Sequence, residues 1–380
     1  MIKKYCATPP VFMLLLKHLM LCTFYWFSCG VIFTCCSENP VNNEIEPDFK
    51  LVGPTEFSVP SQGVTREYNV ETSGSWEVIR KSVETWVEIK PSHGEGDGTF
   101  QIIISKNKST SNRCMTFAIL LNGEEMPDKV TFQQTGASLA DAWEEARNRH
   151  RPLIHNNDGD DHLCPSFTPL GFSVQNFLNI RSSRIIGTDV TTLSYCTNRS
   201  FSLHLHDTKV GECYTGDYYL PERKNIVLEL LQMGTDPLKA TANFAHENGL
   251  EFFWSHRMND THDAGHRPNY RHPQWSQFKE EHPEYLFGAI AEHVPYGTWS
   301  AVDYSYQEIR DLCVQYFTEV CENYDVDGIE LDFFRHPQLF KSVAQGRIAT
   351  QEQLIMLTNM VTQIREMTQR IGQEKGKPIL

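Results

Sequence analysis

The stretch Val326-Asp327-Gly328-Ile329-Glu330-Leu331-Asp332-Phe333-Phe334-Arg335-His336-Pro337 restricts the fold more than any other part of the chain. It reads as a buried strand that runs into carboxylates and an Arg-His pair. Successive side chains of a strand point to opposite faces, so Ile329, Leu331 and Phe333 share one face while Glu330, Asp332 and Phe334 share the other. An amphipathic helix precedes it. Between Tyr306 and Tyr324, Ile309, Leu312, Cys313, Tyr316, Phe317 and Val320 recur at helical spacing, with Arg310, Asp311 and Glu319 between them. Helix, short turn and acidic strand is the grammar of a (β/α) barrel, whose active sites lie at the carboxyl ends of the strands. The paired acids have two readings, as structural carboxylates in a buried polar network or as catalytic groups at a strand's end.

The same alternation extends back to Leu139 and implies an α/β fold with a parallel sheet. The pattern predicts a helix over 139–149, strands over 152–155, 190–195 and 250–255, a helix over 237–248, and then the helix and acidic strand already described. That makes four β/α units of an eight-stranded TIM-type barrel. Two strands run into polar loops, Asn156-Asn157-Asp158-Gly159-Asp160-Asp161-His162 and His256-Arg257-Met258-Asn259-Asp260-Thr261-His262-Asp263. Barrel sites are assembled from such loops. After a helix over 351–371, Gly376 to Leu380 read as a loop and the start of another strand, so the expectation is the first half of a barrel in a truncated chain.

Residues 50–136 have a different character and alternate apolar with polar. Short strands are predicted over 57–59, 68–70, 76–78, 86–89, 100–104, 115–119 and 129–132, separated by turn residues, which together make an all-β sandwich. Trp76 and Trp86 lie on these strands and are expected in the core rather than on a sugar.

Ahead of the sandwich, residues 1–36 form a leader. Lys3 and Lys4 open it, and an uncharged, mostly apolar run from Leu19 to Phe33 ends at Thr34-Cys35-Cys36-Ser37. The run is short for a membrane span, which takes about 20 residues. Cysteines at this place resemble a bacterial lipoprotein site. Cys35 or Cys36 would then carry lipid, and the chain would be exported and anchored to a membrane only through that lipid, with simple secretion to the periplasm or beyond, or an uncleaved anchor, as the alternatives. A polar linker, 37–49, follows.

Composition narrows the partners. A formal net charge of −14 would repel nucleic acid and anionic membrane surfaces, and is compatible with a neutral glycan. Five of the eleven cysteines fall in the leader, and the rest lack metal-ligand spacing. The Asp-rich loop 158–162 and the His/Asp loop 256–266 fit no metal motif either, so they are expected to hydrogen-bond sugar hydroxyls. No metal and no cofactor is expected.

Two resemblances sharpen the reading. Trp86-Val87-Glu88-Ile89-Lys90-Pro91-Ser92-His93-Gly94, Asn107-Lys108-Ser109, Arg113 and Val130-Thr131-Phe132-Gln133-Gln134-Thr135-Gly136 together resemble the BACON domain, an immunoglobulin-like module of bacterial surface carbohydrate enzymes. His155-Asn156-Asn157-Asp158-Gly159, the run Ser255 to Asp263, and Asp327 to Arg335 resemble strand-end motifs of bacterial glycosyl-hydrolase-like barrels, over residues 139–380. The second resemblance implies an extracytoplasmic glycoside hydrolase using two carboxyl groups. Asp332 is the first candidate for the catalytic carboxylate and Glu330 its partner. Asn157, Asp158, Asp160, Arg257, Asn259, Asp260, His262, Asp263, Arg335 and His336 are candidates for binding substrate, with Trp254, Trp275 and Trp299 as a stacking wall. Two alternatives remain at this stage, a surface lipoprotein that captures glycan without cleaving it and a metal-dependent hydrolase of carbohydrate substituents.

Overall fold

The computed structural model describes residues 48–82, 84–165, 173–216 and 223–380. The leader, including Cys35 and Cys36, lies outside the described residues. Among them no helix is long and apolar enough to cross a membrane.

Two β-sheets come first. One has the strand order 49–52, 64–72, 98–104, 87–90, and the other 56–59, 124–134, 113–121, 75–80, 93–95. The alternation of each strand sends one row of side chains inward, where Tyr68, Trp76, Phe100, Phe117 and Phe132 close a single core between the sheets. Trp76 is buried there as expected. Trp86 is half-buried, its edge against Phe132 and its face covered by the Arg113 guanidinium 4.0 Å from the ring centre, so it offers no open platform.

Beyond a helix at Leu139–Asn148 the second architecture begins. Strands Ile154–Asn157, Thr192–Cys196, Glu251–Arg257 and Gly328–Asp332 form a parallel sheet whose spatial order is their chain order. The register sets Tyr195 beside Trp254, Ser255 beside Glu330 and Arg257 beside Asp332. Period-two alternation then divides the sheet by chemistry. Leu193, Tyr195, Phe252, Trp254, His256, Ile329 and Leu331 face the helices Pro237–Glu247, Gln307–Asn323 and Gln351–Lys375 and share one apolar core with them. The opposite face carries Thr192, Ser194, Glu251, Ser255, Arg257, Glu330 and Asp332, with Phe253 the apolar exception, under the Arg151 guanidinium. Leu380 continues the sheet by a step: its N–H donates to the Asp327 carbonyl (2.9 Å) and its carbonyl accepts from the Ile329 N–H (3.0 Å), the alternation of a parallel ladder. The four strands and their order follow the expected β/α succession and form an open sheet among the described residues.

The expected strand over 152–155 lies two residues later, at Ile154–Asn157, and the segment before it carries Arg149 and Arg151, which pair with Glu251 at the sheet's base (3.0 and 2.7 Å). Four short helices, Val174–Arg181, Val227–Gln232, Gln277–Glu281 and Lys341–Ala344, are additions to the sequence reading. The sandwich meets the α/β region at the amino ends of the strands, where the Thr110 hydroxyl donates to the Gly376 carbonyl (2.7 Å) and Lys108 pairs with Glu145 (2.6 Å). The carboxyl ends of the strands are therefore left clear of the sandwich.

Candidate functional site

The polar face of the parallel sheet leads up to the loops at its carboxyl ends. Asp332 closes the fourth strand with its side chain 19% exposed. One of its oxygens accepts the Phe334 N–H (2.8 Å), and the other lies 4.0 Å from the Arg257 guanidinium on the neighbouring strand. Glu330, two residues earlier on the same face, accepts a hydrogen bond from the Ser194 hydroxyl two strands away. The alternation argument thus places both acids as read. Asp332 is at the mouth, and Glu330 is one pleat deeper under a neutral donor.

Arg257 organises the mouth. Its backbone N–H donates to the Asn198 side-chain oxygen (2.9 Å), and the Asn198 amide donates back to the Arg257 carbonyl (2.9 Å). With the backbone fixed, the guanidinium reaches Asp158 at 2.7 Å and Asp260 at 3.3 Å. Asp158, 47% exposed, belongs to the first strand's loop, so one buried arginine ties the loops of three strands together. A second arginine acts in parallel. Arg199, buried, pairs with Asp160 (2.6 Å) and donates to the Asp158 carbonyl (2.6 Å). Burial disfavours the charge on Asp160, but Arg199 and Arg181 outweigh it and hold the carboxyl below its usual range. Between the two acids, Gly159 adopts φ +75°, and a Cβ there would fall 1.9 Å from the Cys196 carbonyl, so the loop can close on the second strand only with glycine.

Asp260 is fully buried beneath His262. Its two oxygens lie 2.8 and 2.9 Å from His262 Nδ1, and one also accepts the His262 backbone N–H. Desolvation would raise its pKa, yet the hydrogen bond from His262 and the Arg257 charge prevail and keep it ionised. The ring is held with Nδ1 protonated and Nε2 turned outward to accept from Arg335 at 3.2 Å. His336 stands edge-on to it at 5.6 Å.

Several residues expected to bind substrate are occupied elsewhere. Asn259 is buried, its amide donating to the Val302 and Gln338 carbonyls and its oxygen accepting the Val302 N–H, all at 2.9 Å. Asp263 and Lys279 form an ion pair at 2.6 Å with both side chains inaccessible, and Ser200 and Ser300 donate to the same carboxylate. Asn157 is buried and braces its own loop through Asp161 and the Gly159 N–H. Full hydrogen-bonding inside the protein removes these three from contact with a ligand. Nor is there a stacking wall, because Trp254, Trp275 and Trp299 are all buried, Trp254 on the helix-facing side. Among the described residues no three His, Cys, Asp or Glu side chains are placed to hold a metal ion together. The sequence reading missed Ser194, Asn198 and Arg199. For Asn198 and Arg199 the signal is in the sequence, since Thr197-Asn198-Arg199-Ser200 is a polar run at the carboxyl end of the second strand, whereas Ser194 lies inside that strand.

No protein-family model matches the chain, and no curated protein matches it. Solved structures with some likeness include glycoside hydrolases. A GH5 xyloglucanase from Bacteroides ovatus, solved with a XXXG heptasaccharide, is 10% identical, with 84% of this chain and 62% of that chain covered and a TM-score of 0.26. An α-L-fucosidase isoenzyme 2 from Paenibacillus thiaminolyticus is 17% identical over 61% of this chain and 32% of that one, at a TM-score of 0.36. A GH36 α-galactosidase from Geobacillus stearothermophilus is 13% identical over 80% and 50%, at 0.33. The chain thus spans from about a third to under two thirds of the length of these three enzymes. Likeness this weak assigns neither their reaction nor their substrates to this chain.

Proposed function

We propose that the chain carries the site of a glycoside hydrolase, with Asp332 as a catalytic carboxylate and Glu330 as its electrostatic partner. The observation that carries this reading is the placement of Asp332: accessible, at the carboxyl end of the fourth strand of the sheet, and held 4.0 Å from a buried guanidinium. The Arg257 guanidinium lies beside one oxygen of that carboxylate, and the Phe334 N–H fixes the other. A carboxylate so oriented can act as nucleophile or as general base toward a glycosidic carbon. Asp158, on the opposite loop and bound to the same guanidinium, is the accessible acid best placed to work across the mouth from it.

The test is Asp332→Asn in the full chain, assayed by release of reducing ends from a panel of oligosaccharides and by thermal unfolding. Asn preserves the shape and the acceptor for Phe334 N–H but supplies neither nucleophile nor base. Turnover is expected to fall roughly 10²-fold or more with the fold retained. Activity within a few-fold of the parent would remove Asp332 from catalysis. Glycan binding without any turnover by the parent chain would favour capture over cleavage.

A further inference from the structure

The cations at the mouth are unequally matched. Arg257 is neutralised by Asp158 and Asp260, Arg199 by Asp160, and Arg181 reaches Asp160 at 3.4 Å. Arg335, three residues beyond Asp332, is exposed, and among the described residues its side chain makes a single polar contact, the donation to His262 Nε2. No carboxylate of the described residues lies within 4.0 Å of it, although the chain as a whole has a net charge of −14. A guanidinium has five N–H donors in a planar fork, so most of this one's donors point at solvent. Its position is not arbitrary. The contact to His262 is anchored in turn by buried Asp260, so the arginine is steered by a ring that cannot turn away. His336 stands edge-on to that ring, and among the described residues its Nδ1, shielded from solvent, has no hydrogen-bond partner.

We propose that Arg335, supported by His262 and His336, is a subsite for an anionic group on the substrate, which makes the substrate an acidic glycan carrying either a uronate carboxylate or a sulfate ester. This rests on the reading of the mouth as a glycan site. Asp332, Glu330 and Asp158 repel an anion, so the charged substituent must sit outboard of them, on the loop that follows Asp332. Arg335 occupies that place. A planar fork meeting two oxygens of one anionic group gives bidentate recognition, and loss of the group would leave the neutral sugar with its hydroxyl contacts alone.

The experiment is a titration of the full chain with D-glucuronate, D-glucose 6-sulfate and D-glucose, followed by NMR chemical shifts at low and moderate salt. Binding is read rather than turnover, so the result does not depend on which carboxylate does chemistry. At least one charged sugar is expected to bind about tenfold or more tighter than glucose, with the gap narrowing as salt rises. Whichever charged sugar binds tighter identifies the anionic group. Arg335→Gln should bring the ratio to about one, and Arg335→Lys should restore part of it because charge returns without the fork. Equal affinity for charged and neutral sugars, or a preference that survives Arg335→Gln, overturns the acidic subsite while leaving the glycan reading intact. If none of the three sugars binds, the glycan reading falls and the subsite with it.

Discussion

Asp260 and Asp263 stand three residues apart on one loop, both inaccessible to solvent, and differ in what their burial supports. Asp260 faces the mouth and spends its oxygens on His262 and Arg257, two groups that reach outward. Asp263 faces inward and holds Lys279, whose charge has no access to water. A buried ion pair adds little over an apolar pair of the same volume, but removing one partner leaves the other charge stranded, at a cost of roughly 3–5 kcal/mol. Asp263→Asn is therefore expected to destabilise the fold by about that amount, while Asp263→Asn combined with Lys279→Met should recover part of the loss. Chemical denaturation of the two variants checks this. A near-neutral effect of Asp263→Asn would mean that Lys279 finds water, contrary to its burial. The sequence could not distinguish the two acids. Spacing and composition place both on a polar loop, and only packing from the distant helix bearing Lys279 decides which one is spent inside.

At the scale of elements, the parts legible in the sequence were those with strong local periodicity. The helix read between Tyr306 and Tyr324 occupies Gln307–Asn323, and the acidic strand occupies Gly328–Asp332 with the faces divided as alternation requires. His256 was read as the start of a loop, but the strand continues to Arg257 and turns His256 toward the helices, where it packs on Trp254, Tyr316 and Phe317. The short helices within 174–232 were missed because each is under three turns and is held by contacts made elsewhere in the fold. A tertiary contact likewise defines the helix Pro237–Glu247 at its end, where His246 lies 3.3 Å from Asp325 and 2.9 Å from Asp327. Those hydrogen bonds raise its pKa to about 9 from an ordinary 6.5. A folded-state pKa above the unfolded one means that the pairing stabilises fully below pH 6.5 and is lost as pH rises through about 9. His246→Gln should therefore lower the melting temperature most near pH 6, with the difference from the parent shrinking toward about pH 9.5. A difference that stays constant over this range would assign the effect to packing instead of charge.

On the scale of the whole molecule, two cores share no residue. One is drawn from strands between Phe49 and Phe132, and the other from residues between Val174 and Ile379. Polar contacts between the sandwich and the α/β region, Thr110 to Gly376 and Lys106 and Lys108 to Glu145, lie at the amino ends of the parallel strands, the end opposite Asp332. Polar surface contacts of this kind contribute little to the stability of either side, typically under about 1 kcal/mol for an exposed ion pair. The sandwich also satisfies its own buried polar groups, since Gln134 donates to the carbonyls of Pro60, Ser61 and Ser105, and Asn107 to those of Ser111 and Thr135. Residues 48–136 should therefore fold when expressed alone, with one cooperative thermal transition seen alike by far-ultraviolet and tryptophan signals. The tryptophan signal reports the core directly, because Trp76 is buried in it. The same piece is expected to bind sugars weakly or not at all, since Trp76 is enclosed and Arg113 covers the face of Trp86. A chain that remains unfolded in isolation would show that the polar contacts with the α/β region hold the sandwich together, and that the two cores are one folding unit.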